Sequence, residues 1–223
     1  MKLIISIAFI LFSIKISLAN DTTWSKAIDI SEKSKNYRAK NVYTTIYELN
    51  KDGSIASNQE IYQKIRLGKE IKYDTIKVIK DGKDITQEAL KKRKEQKKRD
   101  FFTEENDIFS NKVQNKISYE KIGNQIINKN ICYVYSYKYD KNDKEKYQGK
   151  AWLNSKTGEP NKIEYTMNPL PMGLKDISIL YNYESQNNKT YIKTIKVNGE
   201  ASFILFKKIF KLNVDLSDFK EIN

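Results

Sequence analysis

The chain has 223 residues, a formal net charge of +13, a single cysteine and no histidine. The absence of histidine excludes the Ser-His and Cys-His catalytic pairs and removes the commonest metal ligand. One cysteine excludes a disulfide within the chain, so stability must come from packed secondary structure.

The N-terminus begins with Lys2, continues with an apolar run over residues 3–14, and ends with small residues before Asn20. This pattern predicts a secretory signal peptide over residues 1–19, cut after Ala19, followed by one domain over residues 20–223. An uncleaved membrane anchor is the alternative, but Lys15 ends the run before the ~20 apolar residues that a spanning helix needs. We therefore expect export, to the periplasm of a Gram-negative-type bacterium or, alternatively, by secretion.

A short helix is expected next, because Trp24, Ala27, Ile28 and Ser31 recur at helical spacing. From Arg38 the hydrophobic period changes to two, which predicts a strand. Further strands are predicted over residues 55–67 and 70–79. Turns are predicted at Asp52-Gly53 and Asp81-Gly82, where glycine can adopt positive φ.

A strongly basic helical excursion is predicted over residues 86–112, between the first strands and the rest of the chain. Its cations are candidates for binding an anionic membrane surface. The alternative is a solvated helix, because the apolar face needed for membrane insertion is missing. The candidate residues are Lys91, Lys92, Arg93, Lys94, Lys97, Lys98 and Arg99.

The second half predicts strand after strand. Ile131, Tyr133, Tyr135, Tyr137 and Tyr139 alternate onto one face after a turn predicted near Gly123-Asn124. Further turns are predicted at residues 155–158, at Asn187-Asn188 and, most strongly, at Asn198-Gly199. The last strand is predicted over residues 202–212, and residues 215–223 are predicted to form a polar tail. Nine or ten antiparallel strands must curl, so the predicted fold class is mainly β.

No motif for catalysis is present. The sequence has no Gly-rich phosphate loop and no G-x-S-x-G elbow. Glu164 and Glu184 lie within predicted strands, where an outward-facing charge is the ordinary interpretation. Cys132 is out of register with the tyrosine face, and it is predicted to be a small buried residue. We therefore expect no enzyme activity, no cofactor and no metal.

Fifteen tyrosines in a basic chain invite a nucleic-acid interpretation, since aromatic platforms stack bases. Tyrosine is also a normal strand former that spans the boundary between core and water. Because an exported protein rarely meets nucleic acid, we expect no nucleic-acid partner.

A hairpin signature stands in the second half of the chain. Its residues are Gly149, Trp152, Leu153, Asn154, Thr157, Gly158, Pro160, Lys162, Ile163 and Glu164, followed by Tyr181 and Tyr183. This signature resembles the LolA/LolB-like outer-membrane lipoprotein-carrier superfamily. The resemblance implies a strongly curved, unclosed half-barrel covered by an N-terminal helix and the mid-chain excursion. It also implies binding of lipoprotein acyl chains or other amphiphiles on the concave face. The positively charged residue in the cavity of the carriers maps onto no particular Lys or Arg here, and the lipid-modified cysteine of a receptor is absent.

Two hypotheses follow. The first is a monomeric, non-enzymatic binding protein for a lipid, an acylated protein or another amphiphile; the second is a structural or interaction protein whose basic surface binds an anionic membrane, a polyanion or a protein. An unknown hydrolase is a weaker third. The ligand-lining candidates on one strand face are Tyr135, Trp152, Ile163, Tyr165, Ile179 and Tyr181, with a plain core under the helices as the alternative.

Overall fold

The computed structural model describes residues 21–66, 71–93, 104–170, 172–186, 189–203 and 206–222. The predicted signal peptide and the predicted Asn187-Asn188 turn lie outside these residues. The helical elements are α1 (Thr22–Ser34), α2 (Thr86–Arg93) and two 3₁₀ helices (Glu104–Asn106 and Asn111–Lys116). The strands are β1 (Tyr37–Leu49), β2 (Ile55–Arg66), β3 (Lys72–Lys80), β4 (Lys83–Asp84), β5 (Ile117–Ile127), β6 (Asn130–Asp140), β7 (Lys146–Asn154), β8 (Pro160–Met167), β9 (Leu174–Gln186), β10 (Lys189–Phe203) and β11 (Phe206–Glu221).

These eleven described strands form one antiparallel sheet in the order β4-β3-β2-β1-β11-β10-β9-β8-β7-β6-β5. After β4 the chain crosses through the helical excursion to the opposite edge, and then returns strand by strand until β11 pairs with β1. Strands β4 and β5 remain the two edges, so the sheet does not close. The predicted fold class, a curved, unclosed half-barrel covered by helices, is confirmed.

Helix α1 begins at Asp21, whose side chain accepts hydrogen bonds from the N–H groups of Thr23 (2.9 Å) and Trp24 (3.3 Å). Trp24 and Ala27 are fully buried, which confirms the predicted amphipathic helix. At its other end the buried Ser34 hydroxyl accepts a hydrogen bond from the N–H of Thr190 on β10 (3.0 Å). The helix is therefore fixed to the sheet at both ends.

The excursion between β4 and β5 is helical within its described residues, and it extends beyond its predicted end. Helix α2 covers residues 86–93, and the second 3₁₀ helix ends at Lys116. Between them Ile108 and Phe109 are buried, together with Val113, against the same face as α1. No helix within the described residues is long and apolar enough to cross a membrane.

Two predicted turns are wrong, and both fall inside strands. Strand β5 passes through Gly123 with a register shift, and the chain turns instead at Asn128 and Lys129, which have φ of 48° and 67°. Strand β10 passes through Gly199, which pairs with Phe210. A Cβ at Gly199 would collide with the Phe210 ring, so this glycine makes room for an aromatic side chain on the neighbouring strand.

The predicted polar tail is wrong as well. Strand β11 continues to Glu221 and pairs with β1 from Leu49 back to Tyr37. Within β11 the apolar Leu216 is buried, while its polar neighbours Asp215 and Ser217 are exposed. A strand with one solvated face reads as polar when only its composition is considered.

Candidate functional site: the inner face of the sheet

The register of the sheet defines one face that both helices cover. A single row of cross-strand partners crosses nine strands, so its members share that face. We call it the inner face. Helix α1 packs on the β6 end of this row, and α2 lies against β3 at the other end. The row consists of Tyr135, Ala151, Ile163, Tyr181, Ile195, Val214, Thr44, Ile61 and Val78.

The β6–β8 part of the inner face is filled by protein. The Trp24 ring stacks on Tyr119 with the ring centroids 4.1 Å apart, and it meets Phe109 and Tyr135 edge to face at 5.0 and 5.4 Å. The indole N–H of Trp24 donates to Oε1 of Gln114 at 3.1 Å. This region is therefore a packed core.

A groove opens where α1 ends, and we call it the α1 groove. It is a cavity of about 130 Å³ between the C-terminal half of α1, residues 106–110 and the inner face of β1–β3 and β9–β11. Its apolar wall includes Ile65, Tyr73 and Leu216. At its rim the Phe219 and Tyr191 rings have centroids 3.9 Å apart, with Tyr37 alongside at 5.5 Å from Tyr191.

The polar wall of the α1 groove is formed by Asp107. The Ser31 hydroxyl donates to its Oδ2, and the N–H of Phe109 donates to its Oδ1 at 2.9 Å. Burial raises the pKa of Asp107, while these hydrogen bonds and the charge of Arg38 oppose that rise. Burial also raises the pKa of the neighbouring Tyr183, with Asp107 adding to the effect. The hydrogen bond between Ser31 and Asp107 joins α1 to the excursion.

A second cavity lies between α2 and the β2–β3 hairpin, and we call it the α2 cavity. Its volume is about 480 Å³. Helix α2 is anchored at one end only within the described residues: the Ile85 N–H donates to the Val78 carbonyl, and the Thr86 hydroxyl accepts from the Val78 N–H, both at 2.9 Å. The cavity is lined by Gln59, Ile61, Val78, Lys80, Ile85, Glu88, Ala89 and Lys92.

Five of the six predicted lining residues share the inner face. Tyr135 and Ile163 belong to the packed core, and the Tyr135 hydroxyl donates to Asp21 Oδ1 at 2.8 Å. Ile179 packs against that core and stays half-buried. The hydroxyls of Tyr165 and Tyr181 share a hydrogen bond of 2.9 Å, and Tyr181 lines the α1 groove.

Trp152 is the exception, and the prediction that it shares this face is wrong. It pairs with Val134 and Lys162, between Ala151 and Leu153, so it points to the opposite side of the sheet. There its N–H donates to Gln125 Oε1 at 2.8 Å, and the Lys162 Nζ lies 4.3 Å from the ring centroid. The hairpin between β6 and β7 places Ala151, and not Trp152, opposite Tyr135, so Trp152 faces the other side of the sheet.

The predicted basic residues are only partly described. Lys91 and Lys92 are exposed on α2, and Lys92 forms an ion pair with Glu88 at 2.7 Å. Arg93 closes the helix, while Lys94, Lys97, Lys98 and Arg99 lie outside the described residues.

Of the residues that form the α1 groove, only Tyr181 was among the candidates from the sequence. Leu216 and Phe219 fall in the segment predicted to be a tail, and Ile65 and Tyr73 lie in strands that carried no candidate. In β11 the available signal was the alternation of Leu212, Val214 and Leu216 with Asn213 and Asp215; Phe219 falls outside it, because Asp218, with φ of 54°, interrupts the alternation.

No group of three or more His, Cys, Asp or Glu side chains in the described part of the chain could hold a metal ion. Cys132 is fully buried beside Val134 and Trp152, and burial raises the pKa of its thiol. A thiol with a raised pKa is a poor nucleophile.

No family model and no curated protein matches the chain. A DUF1329 family protein from Desulfovibrio piger is 10% identical with a TM-score of 0.43, over 90% of this chain and 92% of that chain. A LolA superfamily protein from Nitrosomonas europaea is 12% identical with a TM-score of 0.38, over 91% and 93%. The Mycobacterium tuberculosis lipoprotein LppX is 7% identical with a TM-score of 0.32, over 91% and 98%. The superfamily that the hairpin signature resembles is represented among these similar structures.

Proposed function

We propose that this chain is an exported, non-enzymatic binding protein that holds the acyl part of a lipid, a lipoprotein or another amphiphile on its inner face. The observation that carries the proposal is the α1 groove. It is an apolar opening, walled by Ile65, Leu216 and an aromatic rim, next to the part of the inner face that α1 and the excursion fill. Apolar surface left open to solvent is the usual mark of a binding site.

The physical basis is non-directional burial of methylene groups. Each CH₂ of an acyl chain that leaves water contributes ~0.8 kcal/mol, so no specific polar motif is required. The α1 groove is smaller than the ~300–1,000 Å³ of ordinary ligand pockets, so a long chain must extend beyond it. Half-buried Ile46, Leu212 and Val197 continue the inner face from the groove and offer a path for the rest of the chain.

A second candidate function rests on α2. Its exposed Lys91 and Lys92 would be attracted to an anionic membrane or polyanion, and that attraction is screened by salt. Binding of an uncharged probe in an apolar groove is not screened. Salt dependence therefore separates the two candidates.

The test is uptake of N-phenylnaphthylamine, an uncharged fluorescent probe of apolar sites, by the purified chain at low and high salt. We expect saturable, salt-insensitive binding that palmitate displaces. The variant Ile71→Trp fills the groove from its rim and should weaken binding by about tenfold, equivalent to ~1.4 kcal/mol. Met172→Trp is the matched control, because Met172 is fully exposed and lies outside the groove.

Two results would overturn the proposal. One is the absence of saturable probe binding. The other is equal weakening by Ile71→Trp and Met172→Trp, which would mean that the probe binds elsewhere. Binding only to anionic vesicles, lost at high salt, would favour the second candidate.

A further inference from the structure

The α1 groove and the α2 cavity lie along one hairpin on the same face. On β2, Ile65 lines the groove and Ile61 lines the cavity; on β3, Tyr73 lines the groove and Val78 lines the cavity. From Ile65 to Gln59 is six residues of strand, or about 20 Å. That distance is similar to the length of a lipid, because one leaflet of the bilayer core is roughly 15 Å thick and a head group adds to it.

A single polar pair separates the two openings. Gln63 lies between Ile61 and Ile65 on the same side of β2, and its Nε2 donates to Thr75 Oγ1 across the hairpin at 3.3 Å. Neither side chain is charged, so an acyl chain that passes over them displaces no ion. Beside this pair, the half-buried Thr44 on the neighbouring strand β1 pairs with Ile61 and also lies on the inner face.

The charges at the two ends differ. At the α1 groove the cations are balanced, because Lys35 pairs with Glu32 at 3.5 Å and Arg38 acts on Asp107. At the α2 cavity Lys92 pairs with Glu88.

Lys80 is the extra charge at the α2 end. It is exposed and lines the cavity, and it forms no ion pair within 4 Å in the described part of the chain, although its charge acts on Asp81 and Glu88. The charged side chains that line the α2 cavity are Lys80 and Lys92 against Glu88, so the lining carries one net positive charge beside the apolar Ile61 and Val78.

Building on the proposed function, we infer that the ligand is a long-chain anionic amphiphile, with a carboxylate or phosphate head group held at Lys80 and its tail directed along the β2–β3 hairpin to the α1 groove. The two cavities are then the two ends of one site. A lysine ammonium on a flexible stem suits such a head group, since it binds anions as a point charge without fixed geometry. The aromatic rim at Phe219 and Tyr191 marks the end that receives the tail.

The test compares palmitate with hexadecanol, which has the same chain and an uncharged head, as competitors of N-phenylnaphthylamine. Wild-type protein should bind palmitate about fivefold more tightly, the effect expected of one partly exposed ion pair. Lys80→Gln should remove this preference, and Lys80→Glu should reverse it. Lys138→Glu is the control with the same charge change, on an exposed position of β6 outside both cavities.

The outcomes separate amphiphile binding as such from recognition of an anionic head group. If neither competitor binds, the proposed function itself fails. If both bind with equal affinity, or if Lys80→Glu and Lys138→Glu change the preference equally, amphiphile binding stands and the inference about the anionic head group is wrong. Preference for free inorganic phosphate over both chains as the competitor would also overturn it, because the tail would then contribute nothing.

Discussion

Two tyrosine hydroxyls on β6 differ in a way that only the folded chain reveals. The Tyr135 hydroxyl donates to Asp21, 114 residues away in the sequence. The Tyr137 hydroxyl is buried and has no hydrogen-bond partner in the described part of the chain. A buried polar group without a partner loses its hydrogen bonds to water and gains nothing in return.

We therefore expect opposite effects from the same substitution. Tyr137→Phe should raise the free energy of unfolding by ~1 kcal/mol, because it removes an unpaired hydroxyl. Tyr135→Phe should lower it by ~1 kcal/mol, because it removes the bond to Asp21 and leaves a weaker cap on α1. Urea unfolding of both variants measures the difference. Equal destabilisation of the two would show that the Tyr137 hydroxyl has a partner.

At this scale the sequence predicts positions but not partners. Alternation predicts Ile131 and four tyrosines of β6 on one face. The structure confirms that Tyr133, Tyr135, Tyr137 and Tyr139 pack into the core, whereas Ile131 is exposed. Which hydroxyl finds an acceptor depends on how α1 sits on the sheet, and no local pattern contains that information. The misplaced Trp152 has a similar cause, since parity must be followed through the hairpin strand by strand.

At the scale of elements, the β7–β8 hairpin positions α1 over the sheet. Gly158 has φ of +81°, and a Cβ there would lie 2.5 Å from Cβ of Lys26 and 3.2 Å from the Thr23 carbonyl on α1. The hairpin thus touches the helix backbone through a residue with no side chain. This contact gives a physical reason for glycine in the signature that resembles the carrier superfamily.

Gly158→Ala should therefore cost more than an ordinary turn glycine. Gly53 has φ of +86° and nothing within 4 Å of an added Cβ, so Gly53→Ala reports the backbone strain alone, ~1 kcal/mol. Gly158→Ala should lower the free energy of unfolding by ~2–4 kcal/mol, because steric overlap with α1 is added. Thermal and urea unfolding measure both variants. Equal losses would mean that the hairpin and helix separate freely.

Turn prediction succeeded where both the local sequence and the pairing favour a turn, and failed elsewhere. Gly53 and Gly82 adopt positive φ in hairpin turns as predicted. Asn198-Gly199 has the same local signal, but Gly199 lies under the Phe210 ring of β11. A glycine that accommodates a neighbour's side chain cannot be told from a turn glycine without knowing the neighbour.

At the scale of the whole molecule, pairing of β11 with β1 builds the candidate site. This pairing joins the last described strand to the first, and it brings Leu216 and Phe219 into the α1 groove beside residues of β2 and β3. The fold class could be predicted from strand number and short turns, since so long a meander must curl. The groove could not, because its walls come from three distant parts of the sequence.

The most direct test of the account is lipid and native mass spectrometry of the chain from Asn20 onward, purified without detergent. We expect a long-chain anionic amphiphile in near-stoichiometric amount, and its loss from the Ile71→Trp variant but not from Met172→Trp. A protein that carries no lipid, and that also fails to take up palmitate when it is supplied, would show that the inner face is not a binding site.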